Sequence, residues 1–363
     1  MMEVLHVIAD RSQDIKRVES VSIGEPGCTD DGRPIWPSAV EIQPTARCHR
    51  ICTFCSHIVR NHHGAQMTLP LALGLLDELE PMGVQRIALS GGGEPLYWGV
   101  SQLTAVALRA ARFAKVSLTS SGDQLWDRAA GALIPSAAKV LAPYSELYIN
   151  VPDVDPQVWR RLIVGGNTWE EAEGLLKALV ALRMQCDELQ YKVYVVVVVT
   201  LLNVKRIGLI DRVLSDCGVD GIYYKQFKNF EQRNVQRLKA DDATLLRLIH
   251  GAVCSEPMSQ SLQRFQQQIG QPTGGTARCW ANRLAYSAIV DPSGEVFPCT
   301  PTVGQREFAI GTLQKQSFTS LWSSAQRAGV LKVLDERALA GGCPAECREH
   351  AVNRVVEQLI GLR

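Results

Sequence analysis

Residues 48 to 55 read Cys48-His49-Arg50-Ile51-Cys52-Thr53-Phe54-Cys55, with three and then two residues between the cysteines. Thiolates are soft ligands that zinc and iron-sulfur clusters select. Three thiols in one loop can bind three irons of a four-iron cluster and leave the fourth iron open. Structural zinc normally has four protein ligands, and His49 is poorly placed to be the fourth. The loop therefore favours an iron-sulfur cluster, with a zinc site or a disulfide as the alternatives.

With Phe54 just before the third cysteine, this loop resembles the CxxxCxxC signature of the radical S-adenosylmethionine (SAM) superfamily. The resemblance implies that the amino and carboxylate groups of SAM chelate the open iron. It also implies that the reduced cluster gives one electron to the sulfonium, and that the resulting 5′-deoxyadenosyl radical removes a hydrogen atom from the substrate. In such an enzyme the cofactor carries the difficult chemistry and the protein positions it.

Composition is that of a soluble globular protein with room for one large domain and a smaller one. The chain has 363 residues, of which 46% are hydrophobic and 21% charged, with a formal net charge of +1. Nothing in this balance, and no Lys/Arg-rich run, argues for nucleic acid or membrane as a partner. Eleven cysteines without a signal peptide predict a cytoplasmic protein that uses its thiols for metal ligation rather than for disulfides.

Strand and helix patterns alternate after a lead-in of residues 1–37 that contains a strand-like stretch at 20–23. Between residues 38 and 235 we predict six strands, each followed by a helix or crossover: 40–43, 85–89, 115–119, 146–151, 191–200 and 221–226. This order predicts an α/β fold with a parallel sheet. Together with the resemblance, it indicates a partial (β/α)6 barrel of the TIM type, followed by a helical linker over 236–275.

The candidate SAM-binding residues follow the predicted strands, because ligands bind at the carboxyl ends of parallel strands. Gly91-Gly92-Gly93-Glu94 resembles the family's GGE motif, which meets the amino group of SAM. Glycines allow close backbone approach, and Glu94 can accept from an ammonium group. Four further candidates for contact with SAM are Phe54, Ser121, Asn150 and Arg161. Ser121 and Asn150 depart from the residues that relatives usually have there, and turn capping or helix-surface solvation are the alternative roles.

A second set of cysteines lies beyond residue 276. Cys279 precedes a predicted hairpin, Cys299 follows it, and Cys343 and Cys347 come later. This arrangement resembles the SPASM/twitch family of C-terminal domains, and its single closing pair fits the twitch version with one auxiliary 4Fe-4S cluster. We expect residues 276–363 to form that domain. A zinc knuckle is the alternative, and the CxxxC spacing of the closing pair is a small departure from the family pattern.

The combination resembles the aminocyclitol dehydrogenases and radical epimerases of aminoglycoside pathways. It implies hydrogen abstraction from a sugar, aminocyclitol or nucleoside, with epimerisation, dehydrogenation or decarboxylation as the outcome and a flavodoxin or ferredoxin as reductant. Cys254 is then a candidate hydrogen donor to the substrate radical, with a small buried hydrophobe as its alternative role. A maturase of a ribosomally made peptide is the second enzymatic hypothesis. A non-catalytic iron-sulfur or zinc scaffold is the third, although it would not need a SAM pocket.

Overall fold

The computed structural model describes residues 26–29, 32–55, 64–227, 238–253, 258–269, 278–343, 347, 349, 352–353 and 356–357. Two of the sequence predictions fall outside these ranges, namely the strand at 20–23 and the candidate hydrogen donor Cys254.

In the described ranges up to residue 226, ten strands form. They are β1 (Ala39–Ile42), β2 (Ile51–Cys52), β3 (Arg86–Leu89), β4 (Lys115–Ser120), β5 (Trp126–Asp127), β6 (Ala132–Leu133), β7 (Glu146–Asn150), β8 (Ile163–Val164), β9 (Lys192–Val199) and β10 (Gly221–Gln226). Six of them lie side by side in the order β1-β3-β4-β7-β9-β10, and every neighbouring pair is parallel. These are the six predicted strands, and each predicted end agrees with the observed end to within one residue. The predicted α/β fold with a partial (β/α)6 barrel is confirmed.

The described helices connect and cover these strands. They are α1 (Leu69–Leu79), α2 (Val100–Ala110), α3 (Ala137–Leu141), α4 (Pro156–Leu162), α5 (Trp169–Gln185), α6 (Ile207–Asp216), α7 (Asp242–Val253), α8 (Gln260–Gln268), α9 (Trp280–Arg283), α10 (Phe318–Trp322) and α11 (Ala325–Leu339). Across the described ranges, no helix combines the length and the apolar character needed to cross a membrane.

Local sequence explains where the helices near the site begin. The Asp155 carboxylate accepts from the backbone N–H groups of Gln157 and Val158 at the start of α4, and Pro156 supplies a fixed φ at the first position. At α5 the side chains of Thr168 and Glu171 form a capping box. The short segment between these two caps is therefore held at both ends.

The valine-rich strand β9 shows how the sheet is buried on both faces. Val193, Val195 and Val197 pack into the main core beneath the helices. On the opposite face, Tyr194 and Val196 form a separate cluster with a tyrosine from each neighbouring strand, Tyr148 and Tyr223. Because successive side chains alternate between the faces of a strand, the apolar run fills both the core and the barrel interior.

The C-terminal region continues the barrel sheet. It contributes β11 (Ser287–Val290), β12 (Glu295–Phe297) and β13 (Gly311–Thr312). The predicted hairpin of β11 and β12 is present, and Asp291 closes its turn by accepting from the N–H groups of Ser293 and Glu295, each at 2.9 Å. Strand β11 pairs in parallel with β1, so the described part of the chain forms one sheet of nine strands in the order β10-β9-β7-β4-β3-β1-β11-β12-β13.

Candidate functional site

The cysteine loop leaves the carboxyl end of β1 and is fastened to the segment that follows α4. Its strand β2 pairs with β8 in antiparallel fashion, with Cys52 opposite Ile163. The next residue, Thr53, donates its N–H to the carbonyl oxygen of Leu162 at 2.8 Å. Cys48 is exposed, and Cys52 and Cys55 are half-buried. The loop therefore presents its three thiols from a backbone that is anchored on one side.

Asp123, in the loop after β4, binds two side chains of the cysteine loop. Its Oδ2 accepts from Arg50 Nε at 2.8 Å, its Oδ1 contacts Arg50 Nη2, and the His49 ring also contacts Oδ2. Burial alone would raise the pKa of Asp123, but the hydrogen bonds from His49 and Arg50 outweigh burial and lower the pKa below its usual range. The Arg50 guanidinium also lies 5.6 Å from the ring centre of Trp159 on α4.

Gly165 and Gly166 let the backbone approach the cysteine loop closely. Both have positive φ values, +81° and +77°. A Cβ on Gly165 would lie 2.6 Å from the carbonyl oxygen of His49. One on Gly166 would lie 2.5 Å from Arg50 Nε and closer still to the Asp123 carboxylate. In the sequence, these two glycines indicate only a break in an amphipathic stretch over residues 156–183. The structure shows that they form a contact surface for the cysteine loop.

The glycine-rich loop after β3 packs against the start of the cysteine loop. A Cβ on Gly93 would lie 2.6 Å from the carbonyl carbon of Arg47, and one on Gly92 would lie 2.9 Å from the carbonyl oxygen of Thr45. Glu94 donates its backbone N–H to the carbonyl oxygen of Arg47 at 2.9 Å. The close backbone approach that glycine permits is therefore used between these two loops, whatever further contact this turn makes with a ligand.

The Glu94 carboxylate is buried, with 4% of the residue exposed, and it is engaged within the protein. Its Oε1 accepts from the Ser120 hydroxyl at 2.6 Å and from the Leu96 N–H at 3.2 Å. Its Oε2 accepts from the Ser121 N–H at 2.7 Å. These bonds tie the loop after β3 to the end of β4. A carboxylate has about four acceptor sites, so three bonds leave little capacity for an ammonium group.

The other predicted SAM-binding residues lie in different surroundings. Ser121 is buried and follows β4, and Asn150 ends β7, where its amide donates to the Ser120 carbonyl oxygen at 3.2 Å. Phe54 packs against the main core. Arg161 is exposed on the last turn of α4, two residues before β8. Four of the candidates, Gly93, Glu94, Ser121 and Asn150, thus meet at the carboxyl ends of β3, β4 and β7, and Arg161 stands at the edge.

The second cysteine set comes together at the C-terminal hairpin. Cys279 precedes α9 and Cys299 follows β12, and both are buried. Asn353 braces the first of them by accepting from the Ala281 N–H at 2.9 Å, with its amide 4.0 Å from the Cys279 sulfur. Cys343 and Cys347 are half-buried.

The thiols of each set lie close enough to interact by charge. Burial, with a smaller contribution from the neighbouring Cys55, raises the pKa of Cys52 to about 12, although Arg50 opposes the shift. Burial likewise raises the pKa of Cys299 to about 12, with Cys347 and Cys343 adding to the effect. Buried thiolates that repel one another are stabilised by a bound cation, since metal ligation deprotonates thiols. Both sets therefore suit a positively charged iron centre.

Sequence reasoning missed Asp123 as part of the site. Its only local signal is its position, because it is a charged residue two places beyond Ser121, at the carboxyl end of a parallel strand. Cys254 was predicted as a hydrogen donor and lies outside the described residues, so it stays a prediction.

Comparison with known proteins agrees with this arrangement. A family described as the radical SAM superfamily matches residues 42–201, and a family described as an iron-sulfur cluster-binding domain (SPASM) matches residues 279–348. A search of curated proteins found no match.

Solved structures share the fold at low sequence identity. One is SuiB from Streptococcus suis bound to the precursor peptide SuiA, with a TM-score of 0.60 and 14% identity over 88% of this chain and 73% of that chain. Another is anSMEcpe with bound AdoMet and the peptide Kp18Cys, with a TM-score of 0.60 and 13% identity over 90% of this chain and 99% of that chain.

Proposed function

Since this chain belongs to the radical SAM superfamily and carries a C-terminal iron-sulfur cluster-binding domain, we propose that it cleaves SAM reductively and abstracts hydrogen from a small polar substrate. Its cofactors are SAM, the 4Fe-4S cluster that binds SAM, and an auxiliary 4Fe-4S cluster. When bound, they supply one-electron chemistry and the 5′-deoxyadenosyl radical. The protein's part is to hold these groups and to orient the substrate.

Each thiol set has one proposed cluster. Cys48, Cys52 and Cys55 hold the SAM-binding cluster, because they share one anchored loop at the carboxyl ends of the strands. The auxiliary cluster has four proposed ligands that the hairpin and the segment after α11 bring together: Cys279, Cys299, Cys343 and Cys347. The thiols within each set lie close enough to influence one another's pKa, and this proximity supports both assignments.

SAM is proposed to lie over the carboxyl ends of β3, β4 and β7. Gly91, Gly92 and Gly93 would offer backbone groups to its methionine part, while Ser121 and Asn150 would face the adenosine part. Phe54 would pack beside the cluster, and Arg161 would reach the SAM carboxylate from the rim. Because the Glu94 oxygens already accept three hydrogen bonds, its main role is to fix this edge, and any bond to the ammonium group uses its remaining acceptor capacity.

One observation carries the proposal of a small polar substrate, namely the cluster of Tyr148, Tyr194 and Tyr223 inside the barrel. The rings of Tyr148 and Tyr194 stack at 5.2 Å between centroids, and Tyr223 meets Tyr194 edge-on at 5.3 Å. The Tyr148 hydroxyl donates to Glu146 at 3.0 Å, and Glu146 pairs with Arg86 at 3.1 Å. These side chains fill the lower barrel, so the proposed substrate space lies above them, at the carboxyl ends of the strands.

The rim of that space is rich in hydrogen-bonding groups. Because alternate residues share a face, Thr119, Asn150 and Lys225 point to the same side of the sheet as the tyrosines. Hydroxyl and amino groups of a sugar, an aminocyclitol or a nucleoside match such a rim. Epimerisation, dehydrogenation and decarboxylation are the proposed outcomes, in the biosynthesis of a natural product.

A peptide substrate is the second candidate, and the structural neighbours favour it. SuiB and anSMEcpe were both solved with a peptide bound, and both share this fold over most of the chain. In that case the exposed surface around the cysteine loop, including Ile51 and Val164, would border the peptide.

The experiment that tests both candidates follows deuterium into 5′-deoxyadenosine. Protein reconstituted anaerobically is given SAM, dithionite and an extract of cells grown in D2O, separated into a low-mass fraction and a peptide fraction. Deuterium transferred only from the low-mass fraction supports the main proposal, and transfer only from the peptide fraction overturns it in favour of a maturase. Absence of 5′-deoxyadenosine in every reaction contradicts radical chemistry and favours a scaffold.

The proposed electron donor is a flavodoxin or ferredoxin in a reducing compartment, for which the cytoplasm is the natural place. Ile51 and Val164, which face each other across β2 and β8, are 60% and 61% exposed. The exposed Arg160 and Arg161 lie four and three residues before Val164 in the chain. An apolar centre with a basic rim next to the cluster loop suits contact with an acidic electron carrier.

A further inference from the structure

The ion pair between Arg50 and Asp123 is the most deeply buried one that touches the cysteine loop in the described part of the chain. The side chain of Arg50 is 3% exposed and that of Asp123 is 6% exposed. Removing one partner of a buried pair leaves an uncompensated charge, which is strongly unfavourable. The chain thus keeps a cation and an anion beside three thiols, where a neutral pair of residues could have filled the space.

Arg50 is placed to act on the cluster because it lies in the chain between Cys48 and Cys52. From there its side chain reaches three elements outside the loop. It binds Asp123 after β4, it donates to the carbonyl oxygen of Asn150 at 3.5 Å, and it lies over the Trp159 ring. Asp123 in turn holds His49, which directly follows Cys48 in the chain. One carboxylate therefore fixes two consecutive residues of the loop.

From this geometry we propose that Asp123 is a positioning residue of the SAM-binding cluster, which holds the cysteine loop through Arg50 and His49 and balances the Arg50 charge beside the thiols. The inference rests on the proposed function, because it takes Cys48, Cys52 and Cys55 as cluster ligands. It adds a residue outside the cysteine motif that acts on the cluster only through other side chains.

The two charges predict the direction in which each variant changes the midpoint potential of the cluster, whereas a purely mechanical role predicts no direction. Reduction adds one negative charge to the cluster, so a nearby carboxylate opposes reduction and a nearby guanidinium favours it. Asp123→Asn removes the anion and is expected to shift the midpoint potential in the positive direction. Arg50→Gln removes the cation and is expected to shift it in the negative direction. Arg50→Lys keeps the charge and is expected to stay closer to the wild type than Arg50→Gln.

The test is a dye-mediated potential titration followed by electron paramagnetic resonance on the anaerobically reconstituted protein, with and without SAM. The signal that changes when SAM binds belongs to the SAM-binding cluster. Asp220→Asn is the control, since Asp220 pairs with Arg183 at the amino end of the sheet, away from the cysteine loop. It should leave that potential unchanged.

Opposite shifts in Asp123→Asn and Arg50→Gln support the proposal, and shifts of the same sign or no shift overturn it. Iron analysis is the second readout. Loss of the SAM-responsive cluster in Asp123→Asn but not in Asp220→Asn supports the proposal, whereas equal loss in both overturns it. If the wild type binds no SAM-responsive cluster, both the proposed function and this inference are refuted. A SAM-responsive cluster with unchanged potentials refutes the inference alone.

Discussion

Gly166→Ala should damage the cysteine loop far more than an equivalent change elsewhere. Gly166 has a φ of +77°, a conformation that is about 1–2 kcal/mol less favourable for a residue with a Cβ. Its Cβ would also lie 2.5 Å from Arg50 Nε, closer than the 3.0 Å below which Cβ contacts are essentially never found. To make room, Arg50 and Asp123 must separate, and disrupting a buried pair costs about 3–5 kcal/mol when one partner is lost. We expect a total destabilisation of about 3–5 kcal/mol, because the pair is displaced and not deleted.

Gly83→Ala provides the matched control. Gly83 has a φ of +74°, and a Cβ built on it meets no atom within 4 Å. Only the backbone term of about 1–2 kcal/mol then applies.

Thermal unfolding of the two variants measures the difference. At roughly 2 °C per kcal/mol for a chain of this size, Gly83→Ala should lower the melting temperature by about 2–4 °C and Gly166→Ala by about 6–10 °C. Iron analysis should show less iron in Gly166→Ala and an unchanged content in Gly83→Ala. Equal shifts in melting temperature, with equal iron, would refute the argument that Gly166 is required for close packing on the ion pair.

Three further predictions concern the thiols and the SAM edge. Cys299→Ser should lower the iron content from about eight to about four per chain, whereas Cys217→Ser, at a buried thiol outside both sets, should leave it unchanged. Glu94→Gln should lower the free energy of unfolding, measured by thermal unfolding, by about 1–3 kcal/mol. The reason is that the amide NH2 group of Gln must face one of the hydrogen-bond donors that the carboxylate binds, the Ser120 hydroxyl or the Ser121 N–H. Arg161→Ala should weaken SAM binding about tenfold in calorimetry without changing the melting temperature, since its side chain is exposed, and an unchanged affinity would remove it from the SAM site.

The elements of the barrel could be predicted because their signals are local. The valine run of β9 and the hairpin turn at Asp291 each occupy a few consecutive residues, and both are present in the structure. The two cysteine sets and the turn before Glu94 were also found by their spacing. What a short stretch of sequence encodes was therefore predictable.

Contacts between distant loops had no such signal. Arg50 and Asp123 are 73 residues apart, and nothing near either one indicates the other. The engagement of Glu94 by Ser120 and Ser121 depends on how closely β3 and β4 approach, which the residue pattern does not specify. The pair Gly165-Gly166 reads as a break in an amphipathic stretch because glycine disfavours helix, although in the structure both glycines lie in close contact with the cysteine loop. These contacts depend on which loops the folded chain brings together, and a short stretch of sequence does not specify that.

The pairing of β11 with β1 has a consequence for synthesis on the ribosome. One edge of β1 can pair with β3 soon after both are synthesised. Its other edge can pair with β11 only after Val290, the last residue of β11, has been added. Between Leu89 and Val290 roughly 200 residues must be made, which takes about 10–40 s at ribosomal rates. During that time β1 is an unpaired strand edge, a place where chains associate wrongly. The polar side chain of Glu41, in the middle of β1, would discourage such association until the C-terminal hairpin arrives to cover the edge.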